Sequence, residues 1–328
     1  MTADTRHPFD RLTPDFIMDA VESLGYICDC RTFALNSYEN RVYQVGLEDR
    51  DPLIVKFYRP ERWSDEQIAE EHQFCFELAE QELPVVAPLT DAENRSLFNY
   101  GGFMFALFPR RGGHAPEFDN EDNLLIIGRL LGRIHRIGRS RPFLHRPEIC
   151  LENFGHAPVA LISDRFIPTE YSDSYNILTR ELLATISEIF EQAGDVQQIR
   201  LHGDCHTGNM LWRDENPHFV DFDDARMGPA IQDLWMLLSG DRQRQMVQLD
   251  AILEGYEQFN EFNPMELRLI ESLRSLRMLH YSAWLAKRWS DPAFPTAFPW
   301  FNTVQYWGEQ ILQLREQLGA LQEPPLSL

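Results

Sequence analysis

Lysine is almost missing from this chain. Of its 30 basic residues 28 are arginine, and only Lys56 and Lys287 carry an ammonium. The two types differ physically, an ammonium being a compact point charge and a guanidinium a planar fork. A chain so biased keeps Lys either by accident or where Arg will not serve. Cationic charge is scarce overall, with 30 basic against 51 acidic residues and a net charge of −21. That deficit opposes a nucleic-acid or anionic-membrane binder, because phosphate contact relies on clustered Lys and Arg. It favours a cationic partner instead. Long hydrophobic runs are lacking too, since stretches such as Phe103–Pro109 are far too short to span a bilayer. The opening Met1-Thr2-Ala3-Asp4 is acidic and no apolar stretch follows it. No signal peptide is expected, and the expected location is the cytoplasm. Cysteine is sparse and odd in number: Cys28, Cys30, Cys75, Cys150 and Cys205 read as reduced thiols, not a disulfide framework. Cys28-Asp29-Cys30 lacks the second ligand pair of a metal site.

What is present is ordinary globular material. The 328 residues are 44% apolar and 25% charged, which suggests two domains or one bilobal unit. Thr13-Pro14-Asp15 starts a helix with a cap, a Pro at the first position and an early acid, and the helix stops at Gly25. The period then changes toward two, with strands expected over 42–45 and 53–58 joined by a polar hairpin. Ser64-Asp65-Glu66-Gln67 is a capping box opening a helix to about Gln81. Two more strands flank a turn at Asn99-Tyr100-Gly101-Gly102, the second over 103–108. Beyond Pro109-Arg110-Arg111-Gly112-Gly113 the pattern is helical, over 124–137 and 177–192, with a β-like interruption at 199–224. From Ile231 onward the chain reads as helix and holds five of the seven Trp. The expected class is α+β and bilobal. A small antiparallel-sheet lobe spans 1–108, and a larger, mainly helical lobe spans 109–328. No internal repeat or low-complexity segment is visible.

The densest polar cluster is Leu201-His202-Gly203-Asp204-Cys205-His206-Thr207-Gly208-Asn209-Met210-Leu211-Trp212. Phe219-Val220-Asp221-Phe222-Asp223-Asp224 follows, with Asp221 twelve residues past Asn209. Read as a strand, this run puts Asp221 and Asp223 on one face, where they repel unless a cation or water intervenes. A carboxylate, an amide oxygen and phosphate oxygens suit Mg2+. The spacing of Asp204 and Asn209, followed by Asp221, matches the base, metal-binding Asn and metal-binding Asp of phosphotransfer. Zinc on His202, Cys205 and His206 fits no common ligand spacing.

A phosphotransferase also needs a strand lysine held by a helix glutamate. Lys56 lies on the 53–58 strand. On the next helix Glu71 shares the stripe of Ile68, Cys75 and Leu78, where a lone acid is costly unless paired. Lys56 is its natural partner, and Glu70 reads as a residue of the solvated face. The G-x-G-x-x-G phosphate loop is absent. In its place stands Leu35-Asn36-Ser37-Tyr38-Glu39-Asn40-Arg41-Val42, whose backbone N–H groups and Ser37 hydroxyl can cradle phosphate. The Pro109 carbonyl and Arg110 amide offer one acceptor and one donor to an adenine edge.

The whole chain resembles the aminoglycoside phosphotransferase/choline kinase branch of the protein-kinase-like fold. Within that branch it is most similar to the bacterial stress response kinase A (YihE/RdoA) family. The resemblance is carried by the Leu35–Tyr43 segment, Val55-Lys56-Phe57-Tyr58-Arg59-Pro60-Glu61-Arg62-Trp63, His202-Gly203-Asp204-Cys205-His206, Gly228-Pro229-Ala230-Ile231-Gln232-Asp233-Leu234-Trp235 and Asp291-Pro292-Ala293-Phe294-Pro295. It implies an ATP- and Mg2+-dependent Ser/Thr protein kinase of stress response. By position it makes Asp204 the base, Asn209 and Asp221 the metal ligands and Ser37 a nucleotide contact, with Asp233 bracing the 201–212 loop. The chain departs from ordinary protein kinases in His-Gly-Asp, in Asp-Phe-Asp and in lacking an Ala-Pro-Glu activation loop.

The expected chemistry is transfer of a phosphoryl group to a hydroxyl, with Asp204 and Asp221 as catalytic residues. Lys56, Glu71, Ser37, Pro109 and Arg110 serve the nucleotide, and Asn209 and Asp221 the metal. Residues 1–108 form the nucleotide-binding lobe, and 109–328 carry the Asp204 loop, metal site and acceptor-binding helices. The expected partner is a protein with a Ser or Thr acceptor, met by a monomer with no nucleic acid or membrane involved. The alternative is a small-molecule kinase using the same residues, with an acidic pocket in 231–328 receiving a cationic substrate. The helices after Ile231 offer Arg274, Arg277 and His280 with Trp284, Trp289, Trp300 and Trp307, none assigned to substrate.

Overall fold

The computed structural model describes residues 7–118, 120–214 and 216–327. The acidic opening Met1-Thr2-Ala3-Asp4 lies outside them. In chain order the elements begin with α1 (Pro14–Glu22), β1 (Cys28–Ala34), β2 (Arg41–Leu47), β3 (Leu53–Phe57), α2 (Asp65–Glu80), β4 (Phe98–Tyr100) and β5 (Phe103–Pro109). They continue with α3 (Glu121–Gly138), α4 (Ala157–Arg165), α5 (Thr169–Ala193), β6 (Ile199–Leu201), β7 (Met210–Arg213), β8 (Asn216–Phe219) and β9 (Arg226–Gly228). The last are α6 (Ile231–Trp235), α7 (Arg242–Tyr256), α8 (Ile270–Arg288), α9 (Ala293–Ala297) and α10 (Val304–Ala320). The chain divides into two compact units. One comprises Met1–Pro116, Leu144–Arg146 and Thr207–Asp224, and the other comprises Glu117–Phe143, Pro147–His206 and Ala225–Leu328.

The first unit is built on an antiparallel five-stranded sheet in the order β1-β2-β3-β5-β4. β3 is the middle strand, and Lys56 stands on it between Val42 of β2 and Ala106 of β5. Val45, Val55, Phe57, Phe105 and Leu107 are buried in the core that α1 closes with Ile17, Ala20 and Val21. Thr13 caps α1 by accepting from the Phe16 N–H at 3.3 Å, and Pro14 occupies the first helical position. Ser64 and Gln67 form a reciprocal capping box at the start of α2. Its buried stripe runs through Ile68, Glu71, Cys75 and Leu78. The turn expected over 99–102 is shorter, since Asn99 and Tyr100 belong to β4. Gly101 and Gly102 alone make it, at φ of 55° and 89°, a tight hairpin geometry that glycine adopts at least cost.

The β-like stretch before Asp224 differs more from expectation. β7 and β8 pair antiparallel, but the chain leaves the strand at Phe219 and makes a 3-10 turn over Phe222–Asp224. Asp221 lies between them with φ of 59°, in the left-handed region. Strand alternation therefore does not place its neighbours: Phe222 and Asp223 are both buried, while the Asp221 side chain is 54% exposed.

The second unit is mainly helical. α3 packs on α7 backbone to backbone, because Gly128 and Gly132 lie so close to the carbonyl oxygens of Ile252 and Tyr256 that a Cβ would collide with them. Gly255 of α7 stands in the same relation to Leu125. A separate core joins α5, α8 and α10 through Leu182, Leu276, Trp307 and Leu314, all buried. The helix expected over 177–192 begins eight residues earlier, at Thr169, since its first turns are polar and carry no apolar period. α4 and the π-turn Glu152–His156 before it were not foreseen; Gly155 and Pro158 mask their periodicity. The short pair β6–β9 holds Leu201 against Arg226. Among the described residues no helix is long and apolar enough to cross a membrane.

Candidate active site

The first unit concentrates charge around one buried ammonium. Lys56 Nζ lies 3.0 Å from Asp221 Oδ1, 3.0 Å from Asp223 Oδ1 and 3.8 Å from Glu71 Oε1. Burial acts against the ammonium, yet Asp221, Asp223 and Glu71 together hold its pKa well above the ordinary value. Two arginines extend the cluster. Arg62 pairs with Asp223, with Asp224 at 3.0 Å and with Glu39 at 3.7 Å, and Arg146 lies 3.6 Å from Glu71. Burial also acts against the Asp223 carboxylate, but Arg62 and Lys56 overrule it and depress its pKa. Glu71 falls on the other side of that balance. Burial, only partly offset by Lys56, pushes it up to about 7.

β7 and β8 bring Asn209 to the same place. Met210 pairs with Phe219, so the residues just outside the hairpin meet, and the Val220 N–H donates to the Asn209 carbonyl at 3.0 Å. Asn209 is thereby fixed one residue across from Asp221. Among the described residues no group of three His, Cys, Asp or Glu could hold a metal ion. The donor set nevertheless fits a hard cation. Asp221 is a half-exposed carboxylate, the Asn209 backbone is bonded to the residue before it, and magnesium ordinarily keeps waters and phosphate oxygens in the rest of its shell. A left-handed Asp is an uncommon conformation that costs on the order of 1 kcal/mol, and such outliers cluster where function needs them.

The second unit holds Asp204. Asp233 at the start of α6 braces its loop, accepting from the His202 and Gly203 N–H groups at 2.9 Å each. Gly203 has φ of 84° and Gln232 donates to its carbonyl at 3.3 Å. Asp233 is itself buried against His135 Nε2 at 3.1 Å, and His135 Nδ1 meets the Tyr256 hydroxyl at 3.0 Å. Asp204 contacts Arg277 Nη1 of α8 at 2.7 Å and His206 Nε2 at 3.4 Å. Burial alone would raise its pKa, but the hydrogen bond from His206 and the charge of Arg277 hold it well below the carboxylate range.

Residues 31–270 match the family model described as the phosphotransferase enzyme family. Stress response kinase A of Escherichia coli O157:H7 is 50% identical over 321 residues, 98% of this chain and 97% of that protein. The protein named serine/threonine protein kinase RdoA of Salmonella typhimurium is 48% identical over 326 residues, 99% and 98% of the two chains. The chain belongs to the phosphotransferase enzyme family. It is an ATP-dependent kinase.

Solved structures show the same fold at low identity. A structure of amicoumacin kinase with AMP-PNP, Ca2+ and its ligand aligns with a TM-score of 0.74 at 17% identity, over 97% of this chain and 96% of that one. Choline kinase LicA of Streptococcus pneumoniae aligns at 0.63 and 14%, over 93% and 98%. The kinase thus has the bilobal protein-kinase-like α+β fold.

Of the residues singled out in the sequence, the structure gathers Lys56, Glu71 and Asp221 directly and ties Asn209 to them through Val220. Ser37 Oγ donates to the Asn40 carbonyl at 3.3 Å, and Arg110 Nε donates to Gln44 at 2.8 Å. Pro109 ends β5 opposite Leu53. None of these three bonds to the Lys56 cluster. Sequence reasoning missed several members of the site. Glu70 is no solvated-face residue, for its carboxylate accepts from the Leu144, His145 and Arg146 N–H groups at 2.6, 2.9 and 2.9 Å. That anchors the segment carrying Arg146. Arg62 and Asp223 form a buried pair separated by 161 residues, which no local pattern reveals. Their one visible signal was membership of the Arg59-Pro60-Glu61-Arg62-Trp63 and Asp221-Phe222-Asp223-Asp224 runs.

Proposed function

We propose that this kinase phosphorylates Ser or Thr hydroxyls of a protein, in the bacterial stress response, using ATP and Mg2+. The observation that carries the phosphotransfer reading is the buried Lys56 ammonium ringed by Glu71, Asp221 and Asp223. The names of the relatives near 50% identity, a stress response kinase and a serine/threonine protein kinase, support a protein acceptor.

In this reading Asp204 accepts a hydrogen bond from the acceptor hydroxyl and takes its proton as the oxygen–phosphorus bond forms and the bond from the γ-phosphorus to the bridging oxygen breaks, with ADP as the leaving group. Lys56, positioned by Glu71, neutralises the inner phosphates, and Asn209 and Asp221 would hold the metal. Bound Mg2+ supplies charge neutralisation on the terminal phosphates. Ser37 and its loop contact the nucleotide, and Pro109 with Arg110 meets the adenine edge. Residues 1–108 are the nucleotide-binding lobe and 109–328 the lobe of the Asp204 loop, metal and acceptor. The protein acts in the cytoplasm as a monomer.

A second reading, a small-molecule hydroxyl kinase, is favoured by the structural neighbours, which are described as kinases of amicoumacin and choline. Labelled ATP offered to a cell lysate, beside a panel of amino alcohols and aminoglycosides, separates the two. The proposal expects acid-stable phosphate on Ser or Thr of a protein. Efficient labelling of an amino alcohol or aminoglycoside, with no phosphoprotein formed, overturns it.

A further inference from the structure

The charge beside Asp204 is opposite in sign to the charge of the molecule. The chain carries −21 overall, yet the tract from Ser272 to Ser290 contains Arg274, Arg277, Lys287 and Arg288 and no Asp or Glu. That tract is nearly all of α8, the helix whose Arg277 reaches Asp204. Arg277 is 40% exposed at its side chain, and the 2.7 Å pair with Asp204 Oδ1 engages one of five N–H donors. One turn further along α8 stands Tyr281, exposed and stacked on Trp284 at 5.7 Å between ring centroids. Arg274 is paired with Glu271 of the same helix at 3.1 Å, so the α8 cation at the base is the Arg277 guanidinium, with the Tyr281–Trp284 aromatic pair one turn beyond it.

We infer that Arg277 is a positioning and specificity residue, which fixes the Asp204 carboxylate and selects an acceptor hydroxyl flanked by a carboxylate over one flanked by an ammonium. The inference rests on Asp204 being the base. An unpaired aspartate would draw a cationic acceptor toward itself. The guanidinium cancels that attraction at Oδ1, and His206 stands at Oδ2. The remaining donors of the guanidinium form a planar fork suited to an acceptor carboxylate, a geometry an ammonium does not offer. The field of the whole molecule acts at long range and is screened by salt, whereas a charge in contact with the base acts at the step that orients the hydroxyl. Net charge and local charge thus point to opposite acceptors, and the local one decides.

The test compares two serine peptides identical except for Glu or Arg beside the serine, together with an amino alcohol and a hydroxy acid as their small counterparts. Each is offered to the wild type and to Arg277→Gln, Arg277→Lys and Asp204→Asn. The wild type is expected to favour the acidic member of the pair it accepts by about tenfold in kcat/KM. Arg277→Lys keeps the direction of that preference, and Arg277→Gln abolishes or inverts it. A wild type that prefers the basic member, or a ratio unmoved by Arg277→Gln, overturns the inference. Near-normal turnover by Asp204→Asn instead overturns the base assignment, and the inference with it. Loss of turnover in Asp204→Asn with an unmoved ratio in Arg277→Gln sinks the inference alone.

Discussion

Lys56 and Asp221 are 165 residues apart in the chain and 3.0 Å apart in the fold. One side chain is nearly inaccessible, the other half exposed, and the pair joins the middle strand of the sheet to the turn after β8. The ammonium is thus held from behind by Glu71 and Asp223, while Asp221 retains an outward side. A point charge suits that place better than a fork does.

Lys56→Arg should lower turnover by about 10–100-fold although charge is conserved, because the planar head cannot take the same position among three carboxylates. Lys287→Arg, on the exposed face of α8, should leave turnover unchanged. Steady-state rates of the two variants at saturating ATP give the comparison. Equal effects would remove the argument from lysine scarcity.

Much of this site was legible in the sequence, and the reason is local periodicity. Glu71 shares a helical stripe with Ile68, Cys75 and Leu78, and all four are buried. The rarity of lysine narrows the choice to Lys56 and Lys287, and the place of Lys56 on a strand decides between them. Asp223 was legible as a residue but not as a partner. The strand reading put it beside Asp221 on one face, whereas the left-handed turn at Asp221 buries Asp223 against Arg62. Glu70 was misread for the same kind of reason. A helix position that faces outward by periodicity becomes an anchor when a distant segment, here 144–146, folds over it. Arg277 lay in a helix whose pattern spoke only of packing, and nothing local announces that it reaches Asp204. In the fold, the helices with clean apolar periods were foreseen and those interrupted by Gly155 and Pro158 were not.

Asp221→Asn should make nucleotide affinity nearly independent of Mg2+, with binding at millimolar Mg2+ weakened by about 10–100-fold. Lys56 keeps Glu71 and Asp223, so the fold should persist. Titration of a fluorescent nucleotide across Mg2+ concentrations measures this. An unchanged Mg2+ dependence would contradict the assignment of Asp221 to the metal.

Glu266 makes stability depend on pH in a defined direction. It is buried and accepts from the Ile231 N–H at 2.9 Å at the start of α6, and burial pushes its pKa up to about 7 from 4.5. A carboxyl raised in the folded state stabilises below its unfolded pKa, and that contribution is lost as pH climbs through 7. Glu266→Gln keeps an acceptor for Ile231 without the charge. Urea unfolding should show the wild type losing about 1–3 kcal/mol more than Glu266→Gln between pH 5 and 8. Parallel pH profiles would show that Glu266 is not held protonated by the fold.

The central claim is that Asp204 is the base, and turnover measured beside ATP binding in Asp204→Asn tests it most directly. The substitution preserves shape and leaves the Lys56 cluster intact. ATP affinity should stay within about threefold of wild type while turnover falls by roughly two to four orders of magnitude, the usual worth of a positioned base. Near-normal phosphotransfer by Asp204→Asn would contradict the account.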